Sequence, residues 1–158
     1  MNVAPKKIIA FRGKYFFLSN FYTDSFGICV EKYYQASKTD DSVLRQKIFD
    51  AATPQKAKDL ARGLPRKEDA KEIMGKLERF KFLSMPERRM LLETGGAELV
   101  EGNVWHDTFW GVCNCPQHKG EGENWLGKIL MEVREELKEV FNRDGTPKKK
   151  DEGAGGFK

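Results

Sequence analysis

The chain has 158 residues, a one-domain length that can bury about 70% of its extended surface in one core. Its 39% hydrophobic, 33% charged and 11% aromatic content describes a soluble globular protein, and no segment approaches the roughly 18 apolar residues of a membrane span. The net charge is +4, of which residues 143–158, with five basic and three acidic side chains, carry +2, so bulk charge makes no case for non-specific nucleic-acid binding.

The start, Met1 to Lys7, lacks a long apolar stretch, which makes the cytoplasm the expected location. Three cysteines is an odd number, and Cys113 and Cys115 stand too close for an easy bridge, so reduced thiols are expected.

In chain order, Ile8, Ile9 and Phe11 suggest a strand over 7–13, and Phe26 to Val30 a second. Between them, four aromatics of Phe16 to Tyr22 surround the turn pair Ser19-Asn20. That loop either anchors itself to the core through its rings or holds a nucleobase while Ser19 and Asn20 hydrogen-bond sugar or phosphate. Next comes Glu31 to Lys38. At about 100° per residue, a helix here gathers Glu31, Tyr34, Gln35 and Lys38 within an arc of roughly 100°. Periodicity alone reads this stripe as a solvated face.

Helices follow over 43–52, from Thr53-Pro54 to Gly63, over 68–82, and from the capping box Ser84-Met85-Pro86-Glu87 to Thr94-Gly95-Gly96. Glu98 to Glu101 reads as a short strand, and Asn103 to Gly111 as a second aromatic cluster around Asp107. A loop over 112–123 precedes a helix over 124–141 whose Leu126, Ile129, Leu130, Val133 and Leu137 share one wide face. Asn124, after Gly120-Glu121-Gly122, reads as an N-cap or as the edge of an anion site at the helix start. The expected architecture is therefore α+β and predominantly helical, one compact domain over 1–142 with a few short strands, followed by a disordered tail over 143–158 that is basic and Gly-rich.

Cys113-x-Cys115-x-x-His118 carries zinc-ligand chemistry, but its spacing is not that of a Cys-x-x-Cys knuckle, and the nearest further ligands are His106, Asp107 and Cys29. A loop that merely contains cysteines is the preferred reading, so no metal and no cofactor are expected. A Ser-His-Asp hydrolase has no Gly-x-Ser-x-Gly elbow to stand on, and Gly-rich phosphate loops are absent from the sequence.

Taken in order, Gly13-x-Tyr15-x-x-Leu18-Ser19-Asn20-Phe21, Glu31-x-x-Tyr34-Gln35-Ala36-x-Lys38, Thr53-Pro54-x-x-Ala57, Lys81-Phe82, Leu92-x-x-Thr94-Gly95, Leu99-Val100-Glu101, Asp107-x-x-Trp110-Gly111 and Gly122-x-Asn124-x-Leu126-Gly127-x-x-Leu130-Met131-x-x-Arg134 resemble the NADAR superfamily, also called YbiA-like, from about residue 9 to about 139. The resemblance implies a compact, largely helical α+β domain that breaks an N-glycosidic bond. Its expected substrates are early riboflavin-pathway intermediates or ADP-ribosylated guanine bases, so the partners are an ADP-ribose or phosphoribosyl molecule or ADP-ribosylated nucleic acid, with no membrane. It further implies that Lys38 forms a Schiff base with the sugar's anomeric carbon, that Glu31 lies in the same pocket, and that Asp107, Trp110 and Gly111 line it.

The residue types suit that chemistry. Positive character at C1 of the ribose is stabilised by a nearby carboxylate such as Glu31, and Lys38 attacks only as a free amine. Asp107 is the candidate acid or base; Trp110 with Phe21 or Tyr34 the candidate stacking surface; Arg12, Arg62 and Lys81 the candidate phosphate partners; and Tyr34 and Gln35 position the substrate. Three departures from the pattern stand out: Lys32, where many relatives have His; the longer Cys-containing segment 112–119, which leaves substrate choice open; and Ala70 or its neighbour, where a Trp often follows the Arg66-Lys67 pair, which reads as a packing change. The rival readings are a non-catalytic ADP-ribose or NAD-binding module and a small zinc-binding interaction domain.

Overall fold

The computed structural model describes residue 3 and residues 5–150. Six α-helices carry the fold: α1 (Val30–Ser37), α2 (Ser42–Phe49), α3 (Pro54–Leu60), α4 (Ala70–Lys81), α5 (Glu87–Glu93) and α6 (Trp125–Val140). A 3-10 helix spans Gly13–Leu18, and four two-residue strands, β1 (Lys7–Ile8), β2 (Glu98–Leu99), β3 (Gly102–Asn103) and β4 (Val112–Cys113), pair in two small sheets. Among the described residues no helix is long and apolar enough to cross a membrane.

Local chemistry sets the helix starts. The Asp41 carboxylate accepts from the amides of Val43 and Leu44, and Thr53 Oγ1 accepts from Lys56 ahead of Pro54 in the first turn, which satisfies amides that lack intrahelical partners. The expected capping box at Ser84 does not form; Pro86 occupies the cap position without a side-chain bond.

The main core joins Leu18, Val30 and Tyr34 to Met74, Phe82, Leu91, Leu92, Leu99, Leu130 and Val133, with α4 packed against both α1 and α6. A smaller core, Ala36, Ile48, Ala57 and Ala61, lies among α1, α2 and α3. One helix serves both. α1 gives Tyr34 to the first core and Ala36 to the second, so its polar stripe sits at the seam between them.

Both sheets are parallel, with Lys7 opposite Glu98 and Asn103 opposite Cys113. Glycine permits the close approaches around them. A Cβ on Gly127 would lie 2.1 Å from the Leu99 carbonyl oxygen, and one on Gly111 would lie 2.1 Å from that of Glu101.

Two expectations change. No strand forms over 26–30: the Asp24 carboxylate takes the amides of Phe26 and Ile28 into a side-chain-closed turn, leaving only a Thr23–Cys29 bridge. The segment after α6, assigned to the tail, turns back on itself over 141–148. Lys148 N donates to the Val140 carbonyl at 2.9 Å, and Arg88 Nε donates to that of Gly145 at 3.0 Å. The rest of the expected tail, 151–158, lies outside the described residues.

Candidate active site

The α1 stripe is buried rather than solvated. Glu31 is 7% exposed, Tyr34 and Gln35 are 4% exposed, and Lys38 at the helix C-cap is half-buried. Gln35 Nε2 donates to Glu31 Oε1 at 2.7 Å, and Lys38 Nζ stands 5.1 Å from the centre of the Tyr34 ring. The Glu31 amide is fixed by the Asn20 carbonyl at 2.9 Å, which anchors the start of the helix.

Other elements bring aromatic and charged groups to this stripe. Trp110 meets Tyr34 edge-on at 5.4 Å between ring centres, Phe109 meets Trp110 at 4.8 Å, and the Arg66 guanidinium lies 3.5 Å from the centre of the Phe109 ring. Asp107 holds the turn that aims these rings: its Oδ1 accepts from Phe109 N at 3.1 Å and Trp110 N at 2.8 Å. Asn103 holds Asp107 in turn, accepting from its amide and donating to its carbonyl.

Burial and neighbouring charge set the protonation of the group. Burial raises the Glu31 pKa against the opposing pull of Gln35, Lys58 and Lys38, and the Asp107 charge adds to the rise. Burial lowers the Lys38 pKa, Glu31 opposes this, and the positive charges of Lys58 and Arg66 reinforce it. Glu101, just after β2, is pushed up to about 7 by burial and then by Asp107, Glu31 and Glu78, and its Oε2 is buried with no hydrogen-bond partner among the described residues. A carboxyl with affinity for a proton near neutrality thus shares one electrostatic site with an amine biased toward its free form.

Several expected binding residues are engaged elsewhere. Lys81 is 3% exposed, with Nζ donating to the Ser19 carbonyl at 3.0 Å beside Glu78, so it braces the Ser19-Asn20 turn from beneath instead of meeting phosphate. Ser19 Oγ closes the same turn on Phe21 N, and the Asn20 amide packs on Met74 Sδ at 3.4 Å. Asn124 neither caps α6 through its side chain nor offers an anion site. Its backbone is left-handed (φ 55°), its side chain joins Glu101 N to the Leu99 carbonyl, and the first amides of α6 bond to the carbonyls of Phe109 and Trp110. Gly111 serves packing, with Glu101 against it.

Arg62 is exposed and paired with Asp59 at 2.8 Å, and Arg12 is exposed at the start of the 3-10 helix. Phe21 is half-buried, 5.9 Å from Lys58 Nζ. Positive charge near the stripe therefore comes from Lys58 and Arg66. Neither they nor Glu101 stood out in the sequence, although Glu101 ends the Leu99-Val100-Glu101 motif and Lys58 follows Thr53-Pro54-x-x-Ala57 directly.

The loop also assembles the set of metal-ligand types that the sequence left incomplete. One atom each of His106, Cys113, Cys115 and His118 lies within 4.8 Å of every other. The cleft bounded by Tyr15, Phe17, Met90, Thr94 and Arg143 shares no residue with the α1 group.

A largely helical α+β domain with a buried acid and amide and a half-buried amine along one helix and its C-cap, facing an Asp-x-x-Trp turn, defines a class that sequence comparison identifies: residues 10–138 match the NADAR domain, and the chain belongs to that family. It is similar to N-glycosidase Npun_R5314 of Nostoc punctiforme, 39% identical over 132 residues that cover 77% of this chain and 81% of that protein. It is also similar to N-glycosidase YbiA of Shigella boydii serotype 4, 37% identical over 114 residues, 68% of each chain. Riboflavin biosynthesis protein VVA0006 of Vibrio vulnificus is 40% identical over 136 residues, 78% of this chain, but the matched region spans only 36% of that longer protein.

Proposed function

We propose that this chain is an N-glycosidase that hydrolyses the bond between C1 of a ribosyl phosphate or ADP-ribose and an amino nitrogen of a base, with Lys38 as nucleophile. The observation that carries the reading is the placement of Lys38 beside Glu31 on α1, half-buried, with Lys58 and Arg66 close enough to disfavour its ammonium form. The names of two relatives, both N-glycosidases, agree with it.

In this reading the substrate's sugar opens at C1, and the Lys38 amine adds to that carbon. The base nitrogen takes a proton and departs, leaving an imine between C1 and Nζ. Water hydrolyses the imine, returning the free sugar and the amine. Glu31 stabilises positive character at C1, and Glu101 is the residue best suited to give up the proton because its carboxyl titrates near neutrality. Asp107, one oxygen of which is committed to its own turn, acts on Glu31 and Glu101 through its charge and orients Trp110 for stacking. Lys58 and Arg66 supply attraction for phosphate.

The test is a side-by-side incubation with an ADP-ribosylated guanine and with a phosphoribosyl-amine intermediate of riboflavin synthesis, using the parent and Lys38→Ala. Release of free base by the parent from one of the two, and loss of turnover in a folded Lys38→Ala, supports the assignment. Tight ADP-ribose binding with no product from either compound would instead make the domain a binding module.

A further inference from the structure

The stretch between β3 and α6 crowds four groups for which the glycosidase reading has no use. Cys113 lies on β4 and is fully buried, Cys115 is 6% exposed, His118 is half-buried one turn further on, and the exposed His106 comes from the segment that joins β3 to β4. His106 Nδ1 and His118 Nδ1 are 3.4 Å apart, and Cys115 Sγ is 3.4 Å from the first and 3.1 Å from the second.

A zinc tetrahedron with bonds of about 2.3 Å to sulfur and 2.0–2.1 Å to nitrogen has edges of about 3.3 Å between two nitrogens and about 3.6 Å between sulfur and nitrogen. The three separations among His106, His118 and Cys115 agree with those edges to within about 0.5 Å, and Cys113 Sγ lies within 4.8 Å of each of the three. Two imidazoles and two thiols gathered within 4.8 Å of one another form the donor set that favours zinc over hard cations, which take oxygen ligands.

The backbone holds this arrangement firmly. Cys113 N donates to the Glu121 carbonyl and Gly120 N to that of Cys113, both at 2.8 Å, folding 113–121 into a tight loop with Lys119 (φ 48°) and Gly120 (φ 87°) left-handed at its tip. His118 N donates to Cys115 Sγ at 3.3 Å, which ties the two ligand-bearing residues to each other. His106 is itself left-handed (φ 70°), an uncommon backbone for a residue other than glycine, and in that conformation its ring reaches the cysteines.

We propose that His106, Cys113, Cys115 and His118 bind one Zn2+ as a closed, structural site that clamps the loop carrying Asp107, Phe109 and Trp110. Four protein ligands fill the coordination sphere, so the ion has no open position for substrate or water. Its effect on the neighbouring site is positional, because His106 directly precedes Asp107. The proposal does not rest on the glycosidase assignment.

The experiment measures zinc in the full-length chain purified without chelator, then titrates the chelator-stripped chain with Co2+ as a spectroscopic probe. Expected are one zinc per chain and, with Co2+, the thiolate-to-metal absorption of a tetrahedral site, weakened at least tenfold in affinity by Cys115→Ser, His106→Ala or His118→Ala. Cys29→Ser, which removes the remaining thiol, leaves both readouts unchanged. The two histidine variants keep the test decisive if a cysteine variant fails to fold. A stripped, folded chain that shows no thiolate–cobalt absorption, or a Cys29→Ser variant that loses metal as Cys115→Ser does, overturns the proposal.

Discussion

Glu101→Gln separates the stability of this domain from its chemistry. The Glu101 carboxyl rises from its ordinary 4.5 to about 7 because folding buries it beside Asp107 and Glu31, with Oε2 unpaired among the described residues. A folded state that binds this proton more tightly than the unfolded chain is stabilised below pH about 4.5 and loses that contribution as pH rises to about 7. At 1.36 kcal/mol per pH unit, the rise from 4.5 to about 7 puts the loss at no more than about 3.4 kcal/mol. Glutamine keeps the shape without the charge, so Glu101→Gln should be more stable than the parent at pH 8 by about 1–3 kcal/mol, with the difference shrinking toward pH 4.5. Glu78, fully buried and likewise raised to about 7, is present in both proteins, and its Coulomb repulsion of the Glu101 carboxylate is one of the contributions that the double difference contains. Urea unfolding of the two proteins at several pH values between 4.5 and 8 measures this double difference. Parallel stability curves for parent and variant would refute the assigned burial and proton affinity of Glu101.

Further outcomes follow from the same contacts. Arg66→Ala removes one of the positive charges that lower the Lys38 pKa, so the ascending limb of kcat/KM against pH that reports the free amine should move to higher pH; an unmoved limb would place Arg66 outside the site. Gly127→Ala forces a methyl to within 2.1 Å of the Leu99 carbonyl oxygen, which should destabilise by about 1–3 kcal/mol and lower Tm by roughly 2–12 °C; calorimetry showing no change would contradict the close packing of α6 on β2. Asp41→Ala leaves the amides of Val43 and Leu44 without their cap and should lose about 1 kcal/mol in the same measurement, with activity retained.

The α1 stripe was legible because all its members lie on one helix, where period 3.6 predicts which side chains share a face. Its burial was not, since that depends on α1 serving two cores whose partners lie far along the chain. Glu101, Lys58 and Arg66 reach the stripe from three different segments, and no local spacing announces such a meeting. Lys81 misled for the reverse reason: on α4 it occupies an inward position and is satisfied by the Ser19 carbonyl, a contact 62 residues away in sequence. The Cys113-x-Cys115-x-x-His118 pattern was visible, but its fourth partner, His106, is delivered by a left-handed backbone and the parallel pairing of β3 with β4. Over 26–30, the apolar run suggested a strand, yet the Asp24 side chain captured the amides that a strand would have used.

Borohydride trapping during turnover, followed by peptide mass spectrometry, bears most directly on the central assignment. Reduction in the presence of the cleaved substrate should fix a sugar on Lys38 and halt activity in proportion to the label, while Lys38→Ala, still folded, takes up none. Full turnover by Lys38→Ala at the parent rate, or a label on another lysine such as Lys58, would contradict the role given to Lys38.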